Sequence, residues 1–102
     1  MAFGIGINSG PVSSGQIYGK QTRIACDCWF TANGRTIPHT IKYKDIGGAI
    51  RTINDISVKY YEDKNYAGIP STEYSCTIIN EDRKMDVRLI FFTDEKRWVM
   101  VT

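Results

Sequence analysis

From Thr22 to Val101, β-branched and aromatic residues alternate with polar ones in short runs broken by turn residues. A period of two is the mark of antiparallel strands with one buried face. The strongest turn signal is Asn33-Gly34, between Arg23–Ala32 and Arg35–Lys44. A type I′ turn needs positive φ at both central residues, which Asn-Gly adopts at little cost, so the pattern predicts a two-residue hairpin. That turn fixes a register in which Phe30 faces Ile37, Cys28 faces His39, Cys26 faces Ile41 and Ile24 faces Tyr43. This face is apolar and bound for the core. Arg23, Asp27, Trp29, Thr31, Thr36, Thr40 and Lys42 fall on the other face, which is predicted to be wet.

The remaining turns follow the same logic. Asp45-Ile46-Gly47-Gly48 leads into Ala49–Ile53 and then Ile56–Tyr61, with the apolar phase slipping near Asn54-Asp55. A bulge accounts for the slip; a single helical turn through Ile50, Ile53 and Ile56 is the rival. Glu62–Pro70 is polar, with Gly68 and Pro70, and reads as a surface loop. Glu73–Ile79 is a strand with Tyr74, Cys76 and Ile78 on one side, turned by Asn80–Arg83 into Met85–Phe92. Asp94-Glu95 turns that strand into Arg97–Val101. Five or six antiparallel strands with no helix-length periodic segment predict an all-β fold, a small antiparallel barrel or strongly bent sheet of the SH3-like or OB-like sort.

A chain of 102 residues is one domain. With 42% hydrophobic and 24% charged residues it is neither disordered nor fibrous. Residues 1–21 hold five of the nine glycines and form a Gly/Ser-rich segment, flexible unless Phe3, Ile5, Ile7, Val12, Ile17 and Tyr18 dock it as an edge strand or lid. Residues 22–102 are the β domain. Gly19-Lys20 resembles a phosphate loop only superficially, since Ser14 stands in place of the first glycine, Gln21 follows the lysine and no helix comes next. Three cysteines are too few and odd in number for a disulfide framework. No apolar run reaches membrane length, so no membrane contact is expected and the cytoplasm is the expected location.

Cys28 opposite His39 is the one arrangement that resembles an activated nucleophile, because paired residues bring their β-carbons within about 5.5 Å. Asp27 points to the other sheet face in this register and so cannot orient the imidazole. Cys26, Cys28, His39 and Cys76 are zinc-type ligands, but the first two are separated by one residue in a strand rather than by two to four on a turn. The acid pairs Glu62-Asp63, Glu81-Asp82 and Asp94-Glu95 lie in predicted turns and diverge. The expectation is therefore a non-enzymatic chain with no catalytic residue, metal or cofactor; a thiol-dependent enzyme using Cys28 and His39 is the lesser alternative.

Binding surfaces remain. In the last hairpin, Phe91 pairs with Trp98 and Leu89 with Met100 on one face, while Ile90 pairs with Val99 and Phe92 with Arg97 on the other. Both faces are apolar, so the N-terminal segment, a second copy or a partner must cover one of them. Ile90, Phe92, Val99 and Val101, bordered by Arg88 and Arg97, are the predicted interaction surface of a protein-binding module, with homo-oligomerisation among its uses. The alternative is single-stranded nucleic-acid binding through Trp29, Arg23, Lys42 and Lys44, with Arg35 and Arg51 nearby; a net charge of +2 permits this without announcing it.

Cys26-Asp27-Cys28-Trp29-Phe30, Ile37-Pro38 through Tyr43, Tyr66-Ala67-Gly68-Ile69-Pro70, Tyr74-Ser75-Cys76 and Arg97-Trp98-Val99-Met100 together resemble small uncharacterised proteins of Gram-positive gut bacteria associated with mobile or conjugative elements. The resemblance covers most of the chain after residue 22. It implies a bacterial cytoplasmic setting and carries no functional residues with it.

Overall fold

A computed structural model gives the structure and describes residues 15–102. The expectations for Phe3, Ile5, Ile7 and Val12 lie outside the described residues. Seven strands form, β1 (Gln21–Phe30), β2 (Thr36–Lys44), β3 (Ile50–Ile53), β4 (Asp55–Tyr66), β5 (Ile69–Asn80), β6 (Arg83–Phe92) and β7 (Arg97–Val101). They make one antiparallel sheet in the order β3-β2-β1-β7-β6-β5-β4, curled into a half-barrel. The sheet is two meanders, β1–β3 and β4–β7, joined where the first strand pairs with the last.

The count exceeds the predicted five or six because Glu62–Pro70 is not a loop. Asp55–Tyr66 and Ile69–Asn80 are two long strands turned by Ala67-Gly68, with φ of 54° and 86°. Positive φ at both positions is the type I′ geometry. Glu81-Asp82 makes the same turn, with φ of 52° and 63°. Polar residues hid the β4–β5 hairpin because β4 has a solvated stretch at its middle, Lys59 to Asp63.

Asn33-Gly34 behaves otherwise. Asn33 keeps negative φ, and only Gly34 is left-handed, at +85°. The Thr31 amide donates to the Arg35 carbonyl at 2.8 Å, and the Gly34 amide donates to Thr31 O at 2.9 Å. The loop is thus the three residues Ala32-Asn33-Gly34, which shifts the register by one. Near the turn, Cys28 faces Pro38 and Trp29 faces Ile37. A bulge between Asp27 and Cys28 then absorbs the shift, and beyond it Cys26 faces Ile41, as the sequence predicts. The residue left unpaired is His39. In the last hairpin the register is the predicted one, Ile90 against Val99 and Phe91 against Trp98, although its loop is wider by one pair.

Asn54 is neither bulge nor helical turn. It links β3, at one edge of the sheet, to β4, at the other. Ile50–Tyr66 is therefore one bent strand that pairs first with β2 and then, past the corner, with β5. Strands that switch partners at a bend are how small sheets curl over their cores. The inner face buries Ile41, Ile53, Tyr74, Cys76, Ile78, Leu89, Trp98 and Met100. Each such side chain contributes about 1.5–3 kcal/mol when fully removed from water. Among the described residues no helix is long and apolar enough to cross a membrane.

Candidate functional site

The bulge reassigns the chemistry of the first hairpin. His39 turns outward and lies away from Cys28, so the predicted nucleophile pair does not form. Its ring stacks on Trp29 with centroids 5.4 Å apart and planes 18° from parallel. Its Nδ1 lies 3.6 Å from Asp27 Oδ2 and 3.3 Å from Thr40 Oγ1. Asp27, predicted to be unable to reach the imidazole, reaches it because both are on the outer face. The thiols stay inside. Cys26 and Cys28 pack against the core, and Cys76 is fully buried. Burial pushes the Cys26 and Cys76 thiols up to about 12, and it raises Cys28 as well. Protonated thiols are neither nucleophiles nor metal ligands. With His39 on the opposite face the zinc-type set is split, and among the described residues no three His, Cys, Asp or Glu are placed to hold a metal ion.

The predicted interaction surface is closed. Ile90, Phe92, Val99 and Val101 are all at least 97% buried and form a second apolar cluster on the outer face, capped by Tyr66, Ile17 and Ile69 of the same chain. Backbone bonds between Lys20 and Thr102, at 3.0 and 3.1 Å, hold the Ile17–Lys20 segment across the end of β7. The bordering arginines are engaged too. Arg88 donates to the Tyr18 carbonyl and lies 3.6 Å from the buried Glu73 carboxylate, while Arg97 bonds Glu95 and lies 4.1 Å over the Phe92 ring. The Tyr66 hydroxyl donates to Glu73 at 2.5 Å; burial and that donated bond push its own ionisation up to about 12. This polar knot under the outer cluster was not visible in the sequence, since Glu73 reads there as an ordinary strand-edge acid.

The nucleic-acid candidates divide. Arg51 is held between Asp45, at 2.8 Å, and Glu81, at 3.2 Å, tying β3 to the β5–β6 turn. Arg35 lies 4.3 Å over the Tyr61 ring. Arg23, Lys42, Lys44 and Trp29 share the outer face of β1 and β2 and are exposed, Trp29 at 62%. The Glu62-Asp63 pair sits in β4 rather than in a turn.

A cleft that the sequence did not announce lies between β2 and β4. Continuing the β2–β3 register past Ile41 and Ile53 would set Thr36 against Val58, but the strand bends at Asn54 and pairs with β5 instead. Thr36–Thr40 and the outer edge of β4 are left facing one another with no ladder between them. The gap is a cleft of about 310 Å³ lined by Thr36, Ile37, Val58, Tyr60 and Tyr61 over a Tyr74 floor. Two contacts bridge it, the Tyr74 hydroxyl donating to the Thr36 carbonyl at 2.5 Å and Arg35 over Tyr61. The only sequence trace of the cleft is the tandem Tyr60-Tyr61, which breaks the alternation of β4 at a second bulge between Val58 and Tyr60.

Comparison of the chain with protein-family models, with curated proteins and with solved structures finds no match.

Proposed function

We propose that the chain is a non-enzymatic protein-binding module, bacterial and cytoplasmic as its resemblance implies, whose docking site is the seam between β2 and β4. The observation that carries this reading is the pair of unladdered strand edges facing across an aromatic cleft. Unpaired edge amides and carbonyls are a template for another strand, and an added strand gains backbone hydrogen bonds along its length. The partner that fits is an extended peptide with an apolar side chain for Val58, Ile37 and Tyr61 and an acidic one for Arg35. Arg35 has no carboxylate within ion-pair distance among the described residues.

Peptides of about ten residues, long enough to span an edge strand, can be selected by display on the folded protein and titrated by NMR. The expected result is enrichment of an extended acidic-apolar motif, with amide shifts confined to Thr36–Thr40 and Val58–Tyr61. Equal recovery on an Arg35→Glu/Tyr61→Ala double variant, or shifts on another face, would overturn the reading. A β4-to-β4 dimer in light scattering, abolished by the same variant, would make the occupant a second copy.

A further inference from the structure

The outer face of β1 and β2 carries cations that the fold does not use. Lys59, Lys64, Arg51, Arg88 and Arg97 each have a carboxylate within 4.0 Å. Lys20, Arg23, Lys42 and Lys44 have none among the described residues, yet they are gathered at one end of this face. The β1–β2 ladder ends at Ala25 opposite Lys42, and past it the strands part, Arg23 pairing with Val99 of β7 and Lys44 with Ile50 of β3. Lys20, Arg23 and Lys44 also line one open groove of about 610 Å³, whose one acid, Asp45, is already held by Arg51.

Farther along β1, six residues or about 20 Å from Arg23, stands Trp29. Its indole is 62% exposed, and its stack on His39 holds the ring in one orientation. Asp27 lies between the cations and the ring, with its carboxylate turned to His39. Unpaired cations in a row with a preset aromatic platform match a charged backbone that carries flat bases. A membrane surface would call for a contiguous apolar patch to insert, whereas beside the cations stand only the separate side chains of Ile46 and Ile50, and between Arg23 and Trp29 only Ala25.

We propose that the outer face of β1 and β2 binds single-stranded nucleic acid, with Lys20, Arg23, Lys42 and Lys44 tracking the phosphates and Trp29 stacking a base. The site is separate from the β2–β4 seam, and either can fail alone.

Fluorescence anisotropy of labelled oligo-dT and oligo-U of about 20 nucleotides, a few site sizes long, tests this on the full chain. Binding should weaken with salt at a log–log slope of about −2 to −3, as three or four phosphate contacts on a single strand require. Trp29→Ala should weaken it about tenfold, and Trp29 fluorescence should be quenched on binding. Lys42→Glu/Lys44→Glu should lower the slope by more than about 1, while Arg83→Glu, on the far turn, leaves affinity within about twofold. All substituted side chains are exposed, and circular dichroism checks that each variant folds. The proposal is overturned by no binding at low salt, by affinity indifferent to the Lys42/Lys44 reversal, or by a duplex bound as tightly as the single strand. Binding to phosphatidylserine vesicles without binding to either oligonucleotide would assign the patch to a lipid surface and overturn it as well.

Discussion

At the scale of the residue, single side chains decide which chemistries this chain can perform. His39 is the clearest case: one unpaired residue at a bulge exchanges a cysteine neighbour for an aspartate and an indole. The thiols left inside are silent. Cys26 and Cys76, pushed up to about 12 by burial, favour the protonated folded state. That contribution is complete below pH 9.0, where the unfolded thiol titrates, and is lost as pH rises through about 12. Iodoacetamide should therefore modify neither faster than free cysteine at neutral pH, and denaturation midpoints should fall across this alkaline window. A thiol that alkylates faster than free cysteine would restore the nucleophile reading. Two glycines allow a second test, since both have positive φ but different surroundings. A Cβ at Gly34 meets nothing within 4 Å, whereas at Gly19 it would lie 2.7 Å from Val101 Cγ1 and 2.9 Å from the Thr102 carbonyl. Gly34→Ala should cost about 1–2 kcal/mol from backbone strain alone. Gly19→Ala should cost about 1–3 kcal/mol more through overpacking, a difference that urea denaturation resolves.

At the scale of the element, legibility followed the range of the interaction. Strand type, most turn positions and the register of the last hairpin were readable because alternation and turn chemistry act between near neighbours. The first hairpin shows the limit. Asn-Gly permits both a two-residue turn and a three-residue loop, and the choice shifts the local phase by one. β3 is the other case, four residues with one buried anchor, Ile53. Its neighbour Arg51 lies in an exposed ion-pair network, so Arg51→Ala should cost little stability, and less still in high salt. Ile53→Ala should cost about 2–5 kcal/mol by opening the core where the strand bends. Thermal melts of the two variants give the comparison, and a larger loss from Arg51→Ala would show that ion pairs rather than packing hold the corner.

At the scale of the whole molecule, the surplus apolar face of the last hairpin was legible as a problem, and its solution was not. Ile17 packs against Tyr66, Ile90, Phe92, Val99 and Val101, so a segment that reads as a flexible leader supplies part of the cover. Ile17→Asp should open that face, raising dye binding to exposed apolar surface and producing association in light scattering while the far-UV spectrum stays β. An unchanged, dye-silent monomer would show that Ile17 is dispensable to the cover. The same sequence that left this undecided did place Trp29 outside and the thiols inside, because the period of two fixes which residues share a face.

By itself the amino-acid order determined the β class, the alternation that sorts one face from another, and the hairpin partners that sit close along the chain. Only the tertiary structure decided that the first strand pairs with the last, that Asn54 carries the chain from one sheet edge to the other, and that β2 and β4 face each other unpaired. The reason is physical: alternation and turn preference are energies between near neighbours, whereas edge, corner and cover are settled by which distant segments bury the most apolar surface together.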